Sequence, residues 1–79
     1  MIPVAVMNLS MAASGEKVRM VSIQGGHELR KRLADLGLNI GEEVYVIQVA
    51  CDGPMLLGVK DSRLAIGRGM AHKIMVEPA

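Results

Sequence analysis

The chain has 79 residues and a formal net charge of +1, nine basic side chains standing against eight acidic ones. That length allows one domain, and a domain this small buries only a modest share of its surface. Balanced charge and a single aromatic residue, Tyr45, argue against a nucleic-acid binder, which needs a basic footprint and, for single strands, rings for base stacking. One cysteine, Cys51, excludes an intramolecular disulfide. The N-terminal "IPVAVM" is too short to span a membrane and lacks a basic leader region, so the expected location is cytoplasmic. With 51% apolar residues and neither Phe nor Trp, the core must be aliphatic.

Residues 1–8 read as an extension or a short strand, and 9–17 as a turn with Ser10 a candidate helix N-cap. "KVRMVSI" (17–23) is rich in β-branched residues and reads as a strand, which "QGG" then breaks. Over 27–36, Leu29, Leu33 and Leu36 recur at helical spacing on one face, with Glu28 and Arg32 one turn apart on the other. Gly37 stands where a helix C′ residue needs positive φ. With Gly37 at C′, a Schellman cap joins Leu38 to Leu33. Gly41 supplies a second turn before "EVYVIQVA" (43–50), a strand apolar on both faces and therefore expected to be buried on both or to curl through a small barrel. "CDGP" turns the chain into a strand at 55–60, inside which Gly58 marks a bulge or bend. A short strand at 64–66, a helical turn at 67–71 and a last strand at 72–77 follow, with Ile74 and Val76 inward. About five short strands with one short helix describe a small, mainly β barrel.

Taken together, "LS" near the start, "GGHELRKRLADLGLNIGEEVYV", "GPMLLGV" and "LAIGRGMAHKIMVE" resemble the ferrous iron transport protein A (FeoA) family. The likeness runs from about Leu9 to Glu77. It divides the chain into an extension (1–8), a domain (9–77) and a tail (78–79). The resemblance implies an SH3-like β-barrel with a helix inserted after the first long strand. It implies an accessory protein of bacterial ferrous iron uptake that contacts the membrane permease FeoB, which carries a cytoplasmic GTP-binding domain. The protein would then be recruited to the inner face of the membrane through that partner. Two alternatives stand beside it. One is a DNA-binding protein of the AbrB swapped-hairpin type, which shares the helix-corner-strand stretch. The other is a metal-binding regulatory SH3-like domain, of the kind that ends iron-dependent repressors.

The candidate sites are few. His27, Cys51 and His72 show no metal-ligand spacing, and no nucleophile signature surrounds Cys51. Neither "QGGHE" nor "IGRGMA" completes a P-loop, so no catalytic, cofactor or metal-ligating residue is expected. A proline-peptide groove needs several aromatics, and Tyr45 is alone. Protein contact remains. The helix and corner offer Leu36 and Leu38 as an apolar strip flanked by Arg30 and Arg32, with Leu33 beneath, an arrangement of apolar centre and polar edge. Arg68 and Met70 in the "GRGMA" turn form a second candidate patch. An open strand edge would also leave room for self-association.

Overall fold

The computed structural model describes residues 6–50 and 53–79. Six strands form one sheet: β1 (Met7–Asn8), β2 (Lys17–Ile23), β3 (Glu43–Val49), β4 (Met55–Val59), β5 (Ser62–Ile66) and β6 (Ile74–Pro78). Their spatial order is β1-β6-β2-β3-β4-β5, and every neighbouring pair is antiparallel. A 3-10 turn, Leu9–Met11, follows β1; helix α1 (His27–Asp35) joins β2 to β3, and α2 (Arg68–Ala71) joins β5 to β6. This is the mainly β, SH3-like arrangement with its helix after the first long strand.

The core follows from alternation. Val18 and Met20 of β2, Val44 and Val46 of β3, Met55, Leu57 and Val59 of β4, and Ile74 and Val76 of β6 all point inward and are buried. Leu9, Leu33 and Leu38 close the same cluster from the turn and from α1. Among the described residues no polar or charged residue is buried, so aliphatic packing carries the fold.

Several expectations need correction. Only the Val44 and Val46 face of β3 is covered; Tyr45 is 54% exposed and Ile47 38% exposed. The alternation is hidden by a bulge, because the β3–β4 register steps from Val46↔Leu57 to Gln48↔Leu56 and leaves Ile47 as the extra residue. Gly58 belongs to that bulge from across the ladder. A Cβ there would sit 3.2 Å from Ile47 Cδ1, so the missing side chain is what lets Ile47 lie down. Ser10 lies inside the 3-10 turn and does not cap a helix; Asn8 holds the N-cap position, without a side-chain bond. Of the two readings of residues 1–8, the described part agrees with the short strand, since Met7 and Asn8 pair with Val76 and Met75. His72 is the C-cap of α2, two residues before β6 begins. Three further strands, β4, β5 and β6, follow β3 and join the same sheet, which the AbrB-type hairpin does not need.

Candidate protein-contact surface

The corner between α1 and β3 is built by its backbone. Gly37 has φ +89°. Its N–H donates to Ala34 O at 2.9 Å, and the Leu38 N–H donates to Leu33 O at 2.8 Å. These are the two bonds of a Schellman cap, with Leu36 at C-cap. The chain then turns over Asn39–Glu42, where the Glu42 N–H donates to Asn39 O at 3.0 Å and Gly41 takes φ +94° at the third position. Two further bonds fasten the corner to β2: Gly41 N–H to Met20 O at 2.8 Å and Met20 N–H to Glu42 O at 3.0 Å. A corner held at both glycines and on the neighbouring strand presents its side chains in fixed directions.

Those directions sort the predicted residues. Leu33 and Leu38 are 0% and 1% exposed, so neither can touch a partner as the protein stands. Their place on the predicted contact strip is corrected: they are the packing that holds the corner, for the reason the cap gives, since it folds Leu38 back over Leu33. Leu36, 47% exposed, does face outward. It leaves the leucine stripe because the helix ends beneath it, and the half-buried Leu29 takes the inner place. Gly25 makes that possible, as a Cβ there would meet Leu29 Cδ2 at 2.6 Å. The residue missed from sequence is Ile40, 50% exposed at the second position of the turn. An apolar side chain just before a turn glycine was the available signal.

Arg30, Lys31 and Arg32 are exposed along α1, and among the described residues none forms an ion pair; Glu28 and Arg32 do not bridge. The surface is therefore Leu36 and Ile40 at the end of a basic helix. The second patch is held elsewhere. Arg68 is exposed and donates from Nη2 to Ala50 O at 2.8 Å, which spends part of its guanidinium on the end of β3. Met70 packs partly buried against the core. No hydrogen bond or ion pair among the described residues joins α2 to the corner, so the two patches are separate features.

His27 opens α1, whereas His72 lies near Ser10, with Nδ1 3.4 Å from its Oγ. Among the described residues no three His, Cys, Asp or Glu side chains are placed to hold a metal ion, and Cys51 lies outside those residues. No described helix is long and apolar enough to cross a membrane.

Electrostatics concentrate on the opposite side of β2 and β3. Glu43 accepts from Lys17 Nζ at 2.8 Å and from Arg19 Nη2 at 3.3 Å, and Arg19 Nη1 reaches Glu77 at 3.4 Å. The Lys17 hydrogen bond, then that of Arg19, lowers the Glu43 carboxyl below its ordinary range, while Glu43 raises Lys17. Lys17 Nζ also lies 5.7 Å from the centre of the Tyr45 ring.

Comparison with known proteins places this geometry. The FeoA domain family matches residues 7–78. A Methanocaldococcus jannaschii protein named "Putative Fe(2+) transport protein A" is 44% identical over 71 residues, covering 90% of this chain and 85% of that one. The crystal structure of an iron uptake regulatory protein (FeoA) superposes with a TM-score of 0.89 at 36% identity, over 95% of this chain and all of that one. FeoA from Chlorobium tepidum gives a TM-score of 0.81 at 30% identity, over 91% of this chain and 70% of that one. A manganese-dependent transcriptional repressor shares the fold at 14% identity, with a TM-score of 0.87 over 99% of this chain and 44% of its own. With a family match over nearly its whole length, this chain is a member of the FeoA family.

Proposed function

We propose that the protein is a non-catalytic accessory subunit of ferrous iron uptake that works at the cytoplasmic face by contact with a FeoB-type permease. Membership of the FeoA family supports the iron transport half of this reading. The observation that supports contact is the pair Leu36 and Ile40. Two large aliphatic side chains, about half exposed, stand on a backbone corner fixed by two glycines and by β2. Exposed apolar groups on rigid supports beside cationic side chains suit a docking surface with an apolar centre and a charged rim. Arg30 and Arg32 supply that rim.

The test is co-purification with the full-length permease from the same genome. Leu36→Asp and Ile40→Asp change exposed side chains and leave the Schellman bonds in place, so both variants should fold. Loss of the permease from folded Leu36→Asp or Ile40→Asp is the expected result. If both variants retain it as wild type does, the contact lies elsewhere, and Arg68→Glu with Met70→Asp become the next pair. Leu38→Asp is unsuitable, since a carboxylate at a 1% exposed site would unfold the corner before it reported on binding.

A further inference from the structure

The turn between β4 and β5 holds a lysine in a glycine's conformation. Val59 pairs with Ser62, so Lys60 and Asp61 alone join the two strands. A two-residue connection of this kind takes positive φ at its first central position, which glycine and asparagine fill at least cost. Lys60 fills it instead, at φ 55°. Every other positive φ among the described residues belongs to a glycine. A residue kept in this region points to a task other than stability, since the backbone would be served better without its Cβ. Asp61 has no positive φ, so lysine is the residue that the turn keeps at a cost.

The local bond of Lys60 does not explain it. Its ammonium lies 3.6 Å from Glu42 Oε1, and the lysine side chain is 73% exposed. An exposed ion pair of that length contributes less than the left-handed backbone costs. Nor does Glu42 need fastening from this side. Its backbone already donates to Asn39 O and accepts from the Met20 N–H. Among the described residues no other carboxylate lies within 4.0 Å of the Lys60 ammonium.

The same turn abuts the docking corner. Glu42 closes the turn that carries Ile40, and Lys60 reaches Glu42. Gly37, next to Leu36, faces Val59, next to Lys60; a Cβ on Gly37 would stand 3.9 Å from Val59 Cγ1. Arg30 and Arg32 border the Leu36 and Ile40 pair from α1, and Lys60 borders it from the sheet.

We propose that Lys60 is a contact residue of the docking surface, and that the permease presents a carboxylate that takes its ammonium in place of Glu42. The inference rests on docking through Leu36 and Ile40 and deepens it. The surface runs from α1 across the corner to the β4–β5 turn, and the partner is acidic where it meets that turn. A compact ammonium on a two-residue turn is a point charge at the rim of an apolar contact, where charge selects partners and speeds encounter.

The test sets the urea midpoint of each variant against its dissociation constant for the full-length permease from the same genome. Lys60→Asn and Lys60→Gly relieve the left-handed position, so their midpoints should equal or exceed that of wild type. Their affinity should fall roughly two- to fivefold, the range of an exposed ion pair. Lys60→Arg keeps the charge and should bind as wild type does. Glu42→Gln releases the ammonium and should bind at least as tightly as wild type. A role in folding alone would move midpoint and affinity together. Lys60→Asn and Lys60→Gly binding as wild type, both midpoints falling below wild type, or weaker binding by Glu42→Gln would each overturn the inference, while loss of the permease from Leu36→Asp and Ile40→Asp would leave the corner reading standing. No binding by wild type, or unchanged binding by both corner variants, would overturn the corner reading and this inference with it.

Discussion

Gly37 holds φ +89°, a conformation that costs an L-residue about 1–2 kcal/mol. Gly37→Ala should lower stability by that amount, read as a shift in urea midpoint without a change in slope. A Cβ there would meet Val59 Cγ1 at 3.9 Å, ordinary contact, so the loss would report backbone conformation and not a clash. Glu43 gives the pH-dependent case. Its folded carboxyl lies below the ordinary 4.5 because Lys17 and then Arg19 hydrogen-bond it. A lowered folded value means that its stabilisation is present above the unfolded carboxylate range and is lost as pH falls through the folded value. Lys17 is raised above 10.5 by the same carboxylate, so its share is complete below that value and is lost as pH rises through the raised one. Glu43→Gln should therefore unfold at lower denaturant than wild type at neutral pH, with the gap closing in acid. Because the pair is exposed, salt should narrow the gap as well. A gap unchanged by both acid and salt would mean that Glu43 acts through packing, not charge.

At the scale of elements, α1 separates two leucines that one periodicity reads alike. Leu33→Ala should cost about 2–5 kcal/mol, as a cavity in an aliphatic core does, whereas Leu36→Ala should stay within about 0.5 kcal/mol. Equal losses in thermal or urea unfolding would contradict the outward placement of Leu36. This pair also shows what was legible in the sequence and why. The cap was readable because it is local: a glycine closing a helix ahead of an apolar residue specifies positive φ, and positive φ specifies which carbonyls are met. The strand at 17–23 and the inward positions of β6 were readable for the same reason, since alternation is a property of neighbours. The exposure of Leu36 was not, because helical spacing continues on paper past the residue where the helix stops. Ile40 was legible only in part, because Gly41 specifies the turn but not which neighbouring side chain the turn directs outward. The open face of β3 was hidden by the bulge at Ile47, which changes parity in mid-strand and makes a one-sided strand look two-sided. Gly58 marked the right neighbourhood, but only the register showed that the extra residue belongs to the strand opposite. The place of Lys60 beside the corner could not be read at all, as Glu42 and Lys60 come together only once β3 and β4 are paired.

At the scale of the whole molecule, the order β1-β6-β2-β3-β4-β5 divides the sheet into a local part and a distant one. The ladders β3–β4 and β4–β5 join strands consecutive in sequence, pairing Val49 with Met55 and Val59 with Ser62. The β2–β6 ladder instead brings Ile23 to Ile74 and Val18 to Pro78. Closing the Ile23–Ile74 separation from an open chain costs about 2 kcal/mol more entropy than closing that of Val49 and Met55. The β3–β4–β5 meander should accordingly form before β6 docks, since topology of this kind sets the order in which contacts repay their closure. Leu57 in β4 and Ile74 in β6 are both 0% exposed, so truncating either should remove about 2–5 kcal/mol and leave enough signal for kinetics. Leu57→Ala should appear mainly as slower folding, because its contacts are present in the transition state. Ile74→Ala should appear mainly as faster unfolding, with the folding arm of the chevron nearly unmoved. The reverse pattern would mean that the two ends of the chain meet first. Folding would then start from the β2–β6 pairing, which β1 and the Leu9–Met11 turn flank, with the meander added afterwards.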